Sequence, residues 1–154
     1  MDLPAFLTQS EPAEPPLHSL ATADGFTIWA VRLWVCAYRH GGAMLPQLRQ
    51  GFALAGAPEA WLALDEFMTR LLGSVKRPLD VRGVKTSLLS IDELGLLRWL
   101  AALQRDASPP PCQHLRAIAA PGIRLAQALA DVGLELSTAD AEEKTTAEKR
   151  RLLH

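Results

Sequence analysis

Two pairs of residues stand out for the chemistry they could do together. Cys36 and His40 are four apart, so on a helix they share a face; Cys112 and His114 are two apart, directly after a proline run. Brought together, the four would offer two thiols and two imidazoles to a tetrahedral metal such as zinc. Neither half has the spacing of a zinc finger or ribbon, and a free cysteine packs readily as a small apolar side chain. The Cys2His2 site is therefore an alternative reading, and no cofactor is assigned.

The second constellation is a stretch of like charge. Between Gly73 and Ser90 lie Lys76, Arg77, Arg82 and Lys85 against one acid, Asp80. A connection this long between two patterned helices is uncommon, and such segments are usually functional or disordered. These four cations are the candidate anion- or partner-binding residues, suited to an acidic surface. No aromatic side chains interleave with them, which argues against single-stranded nucleic acid, where bases need stacking platforms. Leu79 and Val81, then Val84, Thr86 and Leu88, alternate around Arg82-Gly83, so the stretch also admits a small hairpin.

Three further arginines, Arg32, Arg39 and Arg98, sit in otherwise apolar helices. They are candidate polar anchors for an interhelical pocket holding a small molecule or substrate. The competing reading is that each extends to the surface and merely lays its stem on apolar neighbours. Asp92 and Glu93 are adjacent, so on a helix they diverge by about 100° and do not form a paired-carboxylate site. Asp65 and Glu66 fail on the same geometry. There is no G-x-S-x-G elbow, no phosphate-binding loop and no dinucleotide fingerprint. No catalytic residue is assigned, and the expected function is non-enzymatic.

The elements that must position these residues are helices. The first is expected from Asp24, as its cap, to about His40, where Gly41-Gly42 stop it. Its polar stripe is only Arg32, Cys36 and Arg39. A second runs from Leu45 to Ala55, and a third, Glu59 to Leu72, carries the stripe Trp61, Leu64, Met68, Leu71. Ser90 and Glu93 spell a capping box that opens a fourth helix to Arg105. That helix's polar stripe is Asp92, Gly95, Arg98, Ala102 and Arg105. After Pro109-Pro110-Pro111, a short helix from Gln113 is expected to stop at Pro121 and another to run from Gly122 to Val132. Helices two and three have helix-turn-helix spacing, but Glu59, Asp65 and Glu66 would face phosphates, which opposes DNA binding.

The whole is a single compact all-α domain of five to six helices, with an irregular basic loop, flexible termini, and Trp29, Trp34, Trp61 and Trp99 in its core. Of its 154 residues, 49% are apolar and 21% charged, which excludes the disordered and collagenous classes. No run approaches the ~18 apolar residues that would span a bilayer. Two cysteines do not make a disulfide framework, and a reducing cytoplasm is the expected location. The Ala, Leu, Arg and Pro bias is of a bacterial kind. Residues 1–16 hold three acids, four prolines and no base, and read as an extended arm in which Leu3, Phe6 and Leu7 could dock as a short motif. Residues 17–137 form the helical domain and 138–154 a charged tail. The first and fourth helices show more apolar circumference than a small monomer easily covers, so the expected function is an interaction or regulatory module that self-associates or binds a protein partner.

Overall fold

The computed structural model describes residues 15–106, 110 and 112–137. The charged tail, and the arm apart from Pro15 and Pro16, lie outside the described residues. What is described is all-helical: α1 Thr22–Arg39, α2 Leu45–Leu54, α3 Ala60–Leu72, α4 Ile91–Arg105 and α5 Gln113–Asp131, preceded by a 3-10 turn at Leu17–Ser19. No helix among them is long and apolar enough to cross a membrane.

Helix α1 is the axis of the molecule. Ala30 to Val35 are six consecutive buried residues, more than a full turn, so neighbours cover the helix on every side. It packs against α2, α3 and α4, while α5 lies mainly on α3 and next on α4. Helix α4 is enclosed in the same way from Asp92 to Leu97. The apolar circumference that suggested an external cover for these two helices is thus covered by the chain itself. The large apolar side chains left exposed among the described residues are Tyr38, Leu54, Leu62 and Leu88.

Trp34 and Trp99 are buried in the main core, and Trp29 and Trp61 pack half-buried against its edge. Trp34 donates its indole N–H to Asp65 Oδ1 at 2.8 Å, so that acid serves the core. The Trp29 ring lies across Gly51, where any Cβ would collide with it, which explains a glycine inside α2.

Two helix boundaries differ from the sequence expectation. The N-cap of α1 is Ala21, and Asp24 sits inside the first turn. Its buried carboxylate accepts from the Ser137 amide and hydroxyl at 3.1 Å each, tying the end of the described chain to the start of α1. Helix α5 is continuous through Pro121, where two helices were expected. Proline removes the N–H that would bond the carbonyl four residues back, at Ala117. Arg70 from α3 donates to that carbonyl, so the acceptor stays satisfied and the helix continues. At the same level Gly122 lets α5 approach α3 and α4 closely: a Cβ there would lie 3.0 Å from Phe67 and from Leu103.

The 73–90 connection is irregular, with no hairpin. Its pairing is with the residues before α1: Pro16 bridges Leu88, Leu17 N donates to Ser87 O, and Leu89 N donates to Pro15 O. Pro15 and Pro16 therefore belong to the folded body. Ile28, Leu89 and Leu97 close a small second core beneath this pairing, with Leu17 and Leu20 against it.

Candidate binding groove

The loop's placement follows from two acids at the start of α4. Ser90 and Glu93 form the expected capping box: Glu93 N donates to Ser90 Oγ at 3.0 Å, and Ser90 N donates to Glu93 Oε1 at 2.9 Å. The same glutamate receives Arg32 Nε at 2.6 Å and Nη2 at 3.0 Å. Both side chains are essentially inaccessible, at 1% and 0% exposure. The remaining guanidinium donors reach the carbonyls of Thr86 and Leu88, at 2.7 and 3.0 Å. Arg32 neither reaches solvent nor anchors a ligand; it is the internal staple that joins α1, α4 and the loop. Its apolar surroundings exclude water, so a fork of donors matched to a carboxylate and two carbonyls is what makes its burial tolerable.

Asp92 does the same job one residue earlier. It is buried although sequence periodicity assigned it to the polar stripe, because the loop folds over the first turn of α4. Arg77 grips it with two bonds, at 2.7 and 2.9 Å, and Asp80 N donates to it at 2.7 Å. Burial by itself pushes the Asp92 carboxyl up, but the Arg77 hydrogen bonds, the Asp80 amide and the Arg77 charge together hold it below its ordinary value. A carboxyl depressed in this way contributes stability above its unfolded value of about 3.9, and that contribution fades as pH falls through the folded value. Arg77→Met leaves burial as the largest influence, so the carboxyl moves upward. The melting-temperature gap between the native chain and this variant is expected to be widest near pH 7 and to narrow towards pH 3. At pH 7 it corresponds to roughly 1 kcal/mol, because much of the guanidinium is in solvent. Thermal melts across that range check this, and a gap independent of pH would contradict it.

The first half of the loop, once pinned, walls a groove of about 430 Å³ against the ends of α1 and α3. Its floor is apolar: Val35 from α1, Leu72 from α3, and Val75, Pro78, Leu79 and Val81 from the loop. Tyr38 forms one wall, 68% exposed, stacked on Trp34 with ring centroids 5.4 Å apart. The rim is Arg39, Lys76 and Arg77, and no acid lines it. Asp92 balances Arg77, whereas Arg39 and Lys76 are exposed and form no ion pair among the described residues. The groove lining holds no carboxylate, thiol or imidazole; its titratable groups are the Tyr38 phenol, the Lys76 amine and the two guanidinium groups.

The candidate residues thus sort differently from their sequence grouping. Lys76 and Arg77 of the basic loop meet Arg39 of the three apolar-helix arginines. Arg82 and Lys85 lie outside the groove lining. Arg82 pairs with Asp80 at 3.4 Å, and its amide donates to Glu93. Arg98, on α4, is half-buried and does not line the groove. Among the described residues no three His, Cys, Asp or Glu side chains converge to hold a metal, so Cys36, His40, Cys112 and His114 are not brought together. Both cysteines are free thiols.

The groove itself was not readable from spacing, because Val35, Leu72 and Val81 belong to three separate segments. The available signal was Arg32: an arginine amid apolar residues demands a buried acid, and the acids opening α4 were the nearest candidates. The chain matches no protein-family model, no curated protein and no solved structure.

Proposed function

We propose that this chain is a non-enzymatic interaction module, acting in a reducing cytoplasm, that captures an acidic, apolar segment of a partner protein in this groove. The observation that supports the reading is the one-sided charge: an apolar floor under a rim of three cations, two of which form no ion pair among the described residues. A groove of this volume accepts about two or three large side chains, which suits an extended segment better than a whole domain face. Acids flanking those side chains would meet Arg39 and Lys76, while the pairing of Arg77 with Asp92 keeps the wall in place. The exposed Tyr38 adds a flat aromatic contact of the kind enriched in protein interfaces.

The test uses a fluorescein-labelled synthetic heptapeptide with a Leu-Phe-Leu centre between glutamate pairs, followed by anisotropy. The double variant Arg39→Glu/Lys76→Glu is expected to bind it about tenfold more weakly, which corresponds to about 1.4 kcal/mol. Its melting temperature is expected to stay within roughly 2 °C of the native chain, since both side chains are exposed and form no ion pair among the described residues. A counterpart peptide with lysines in place of glutamates is expected not to bind. Equal binding of both peptides, or an unchanged affinity in the double variant, would overturn the proposal.

A further inference from the structure

We infer that Tyr38 sets the specificity of the groove: its open face is a stacking platform, so the captured acidic segment carries a flat aromatic side chain there. This rests on the reading of the groove as a site for an acidic, apolar segment, and it adds which apolar side chain that segment must bring.

The platform is built on α1. At about 100° per residue, Trp34, Tyr38, Val35 and Arg39 follow one another around the helix at roughly 0°, 40°, 100° and 140°. Tyr38 therefore stands between Trp34 and the two α1 residues that line the groove with it. One face of its ring is spent on Trp34, nearly parallel at 11° with centroids 5.4 Å apart. The other is turned towards Val35 and Arg39, and the residue stays 68% exposed. Trp34 is itself fixed: it is 4% exposed, and its indole N–H donates to Asp65 Oδ1 on α3 at 2.8 Å. The backing of the platform thus belongs to the core, and a ligand spends little on ordering the Tyr38 ring.

The rim decides which flat groups can use this face. A tyrosine ring attracts cations as well as other rings. A lysine or arginine of the ligand, however, would lie beside Arg39 and Lys76, which form no ion pair among the described residues. What the site accepts is a neutral ring, with acids next to it for those two cations. A nucleobase would also stack, yet the floor side chains Val35, Leu72, Leu79 and Val81 offer no partner to its edge donors and acceptors. That favours the phenyl ring of a peptide.

The experiment replaces the central Phe of the glutamate-flanked heptapeptide by cyclohexylalanine, which keeps the bulk and the apolar character but not the flat ring. The native chain is expected to bind the Phe peptide about three- to tenfold more tightly. Tyr38→Leu is expected to abolish this preference and Tyr38→Phe to keep it, since the ring and not the hydroxyl carries it. The readout is a ratio of two peptides on one protein, so a general weakening of either variant cancels. Equal affinity for the two peptides in the native chain, with Arg39→Glu/Lys76→Glu still weakening both, would overturn the platform and leave the groove. A preference that survives Tyr38→Leu would also overturn the platform. Heptapeptide binding insensitive to the double variant would overturn the groove itself. Displacement of the Phe peptide by micromolar adenosine monophosphate would overturn a peptide segment as the occupant.

Discussion

Arg32→Met is expected to cost about 3–5 kcal/mol, a large part of the 5–15 kcal/mol by which a domain of this kind is folded. The substitution is close in volume and leaves the apolar neighbours of α1 packed. What it removes is the countercharge of Glu93, which is wholly buried, together with the donors to the Thr86 and Leu88 carbonyls. Glu93 would keep its bonds from Ser90 N and Arg82 N, and these do not neutralise it. A drop in melting temperature of roughly 10 °C is the corresponding readout. Arg32→Met/Glu93→Met should recover a substantial part of the loss, since replacing both members of a buried pair spares the lone charge. A single variant that melts within a degree or two of the native chain would show that the pair is not holding the loop.

Gln104→Leu should have the next largest effect, a loss of about 2–3 kcal/mol in denaturant titrations with little change in slope. The Gln104 amide is a junction between α4, α5 and the segment that follows α5. Its Nε2 donates to Ala126 O at 2.9 Å and to Leu134 O at 3.0 Å, and its Oε1 accepts from Leu136 N at 2.6 Å. Leucine matches its size yet strands the Leu134 carbonyl and the Leu136 amide, while the Ala126 carbonyl keeps its place in the α5 ladder. Because the Leu136 side chain is buried in the main core, the segment is not free to leave and find water instead. A cost below about 0.5 kcal/mol would mean that solvent satisfies those groups after all.

Both effects concern side chains whose partners are remote in sequence, and that separates what could be read along the chain from what could not. The capping box at Ser90 and Glu93, the stop at Gly41-Gly42 and the stripe of α3 are local: their donors, acceptors and faces lie within a few residues. These determined an all-helical chain, the approximate extent of α2, α3 and α4, and the irregularity of the basic stretch. The stop at Pro121 was also a local inference, and it failed for a non-local reason, since the orphaned Ala117 carbonyl is satisfied from another helix by Arg70.

Only the tertiary structure decided which charges are used up. Arg32 and Asp92 sit on stripes that periodicity assigns to solvent, yet the loop closes over both, and each is held by a countercharge on a distant segment. The same closure turned a cluster of four cations into a different set, bringing Arg39 to Lys76 and Arg77 and leaving Arg82 and Lys85 aside. Burial depends on what packs above a residue, and a period of 3.6 says only which residues share a face. The cations were visible in the sequence; which of them stay without a countercharge among the described residues was set when the loop folded back on α4.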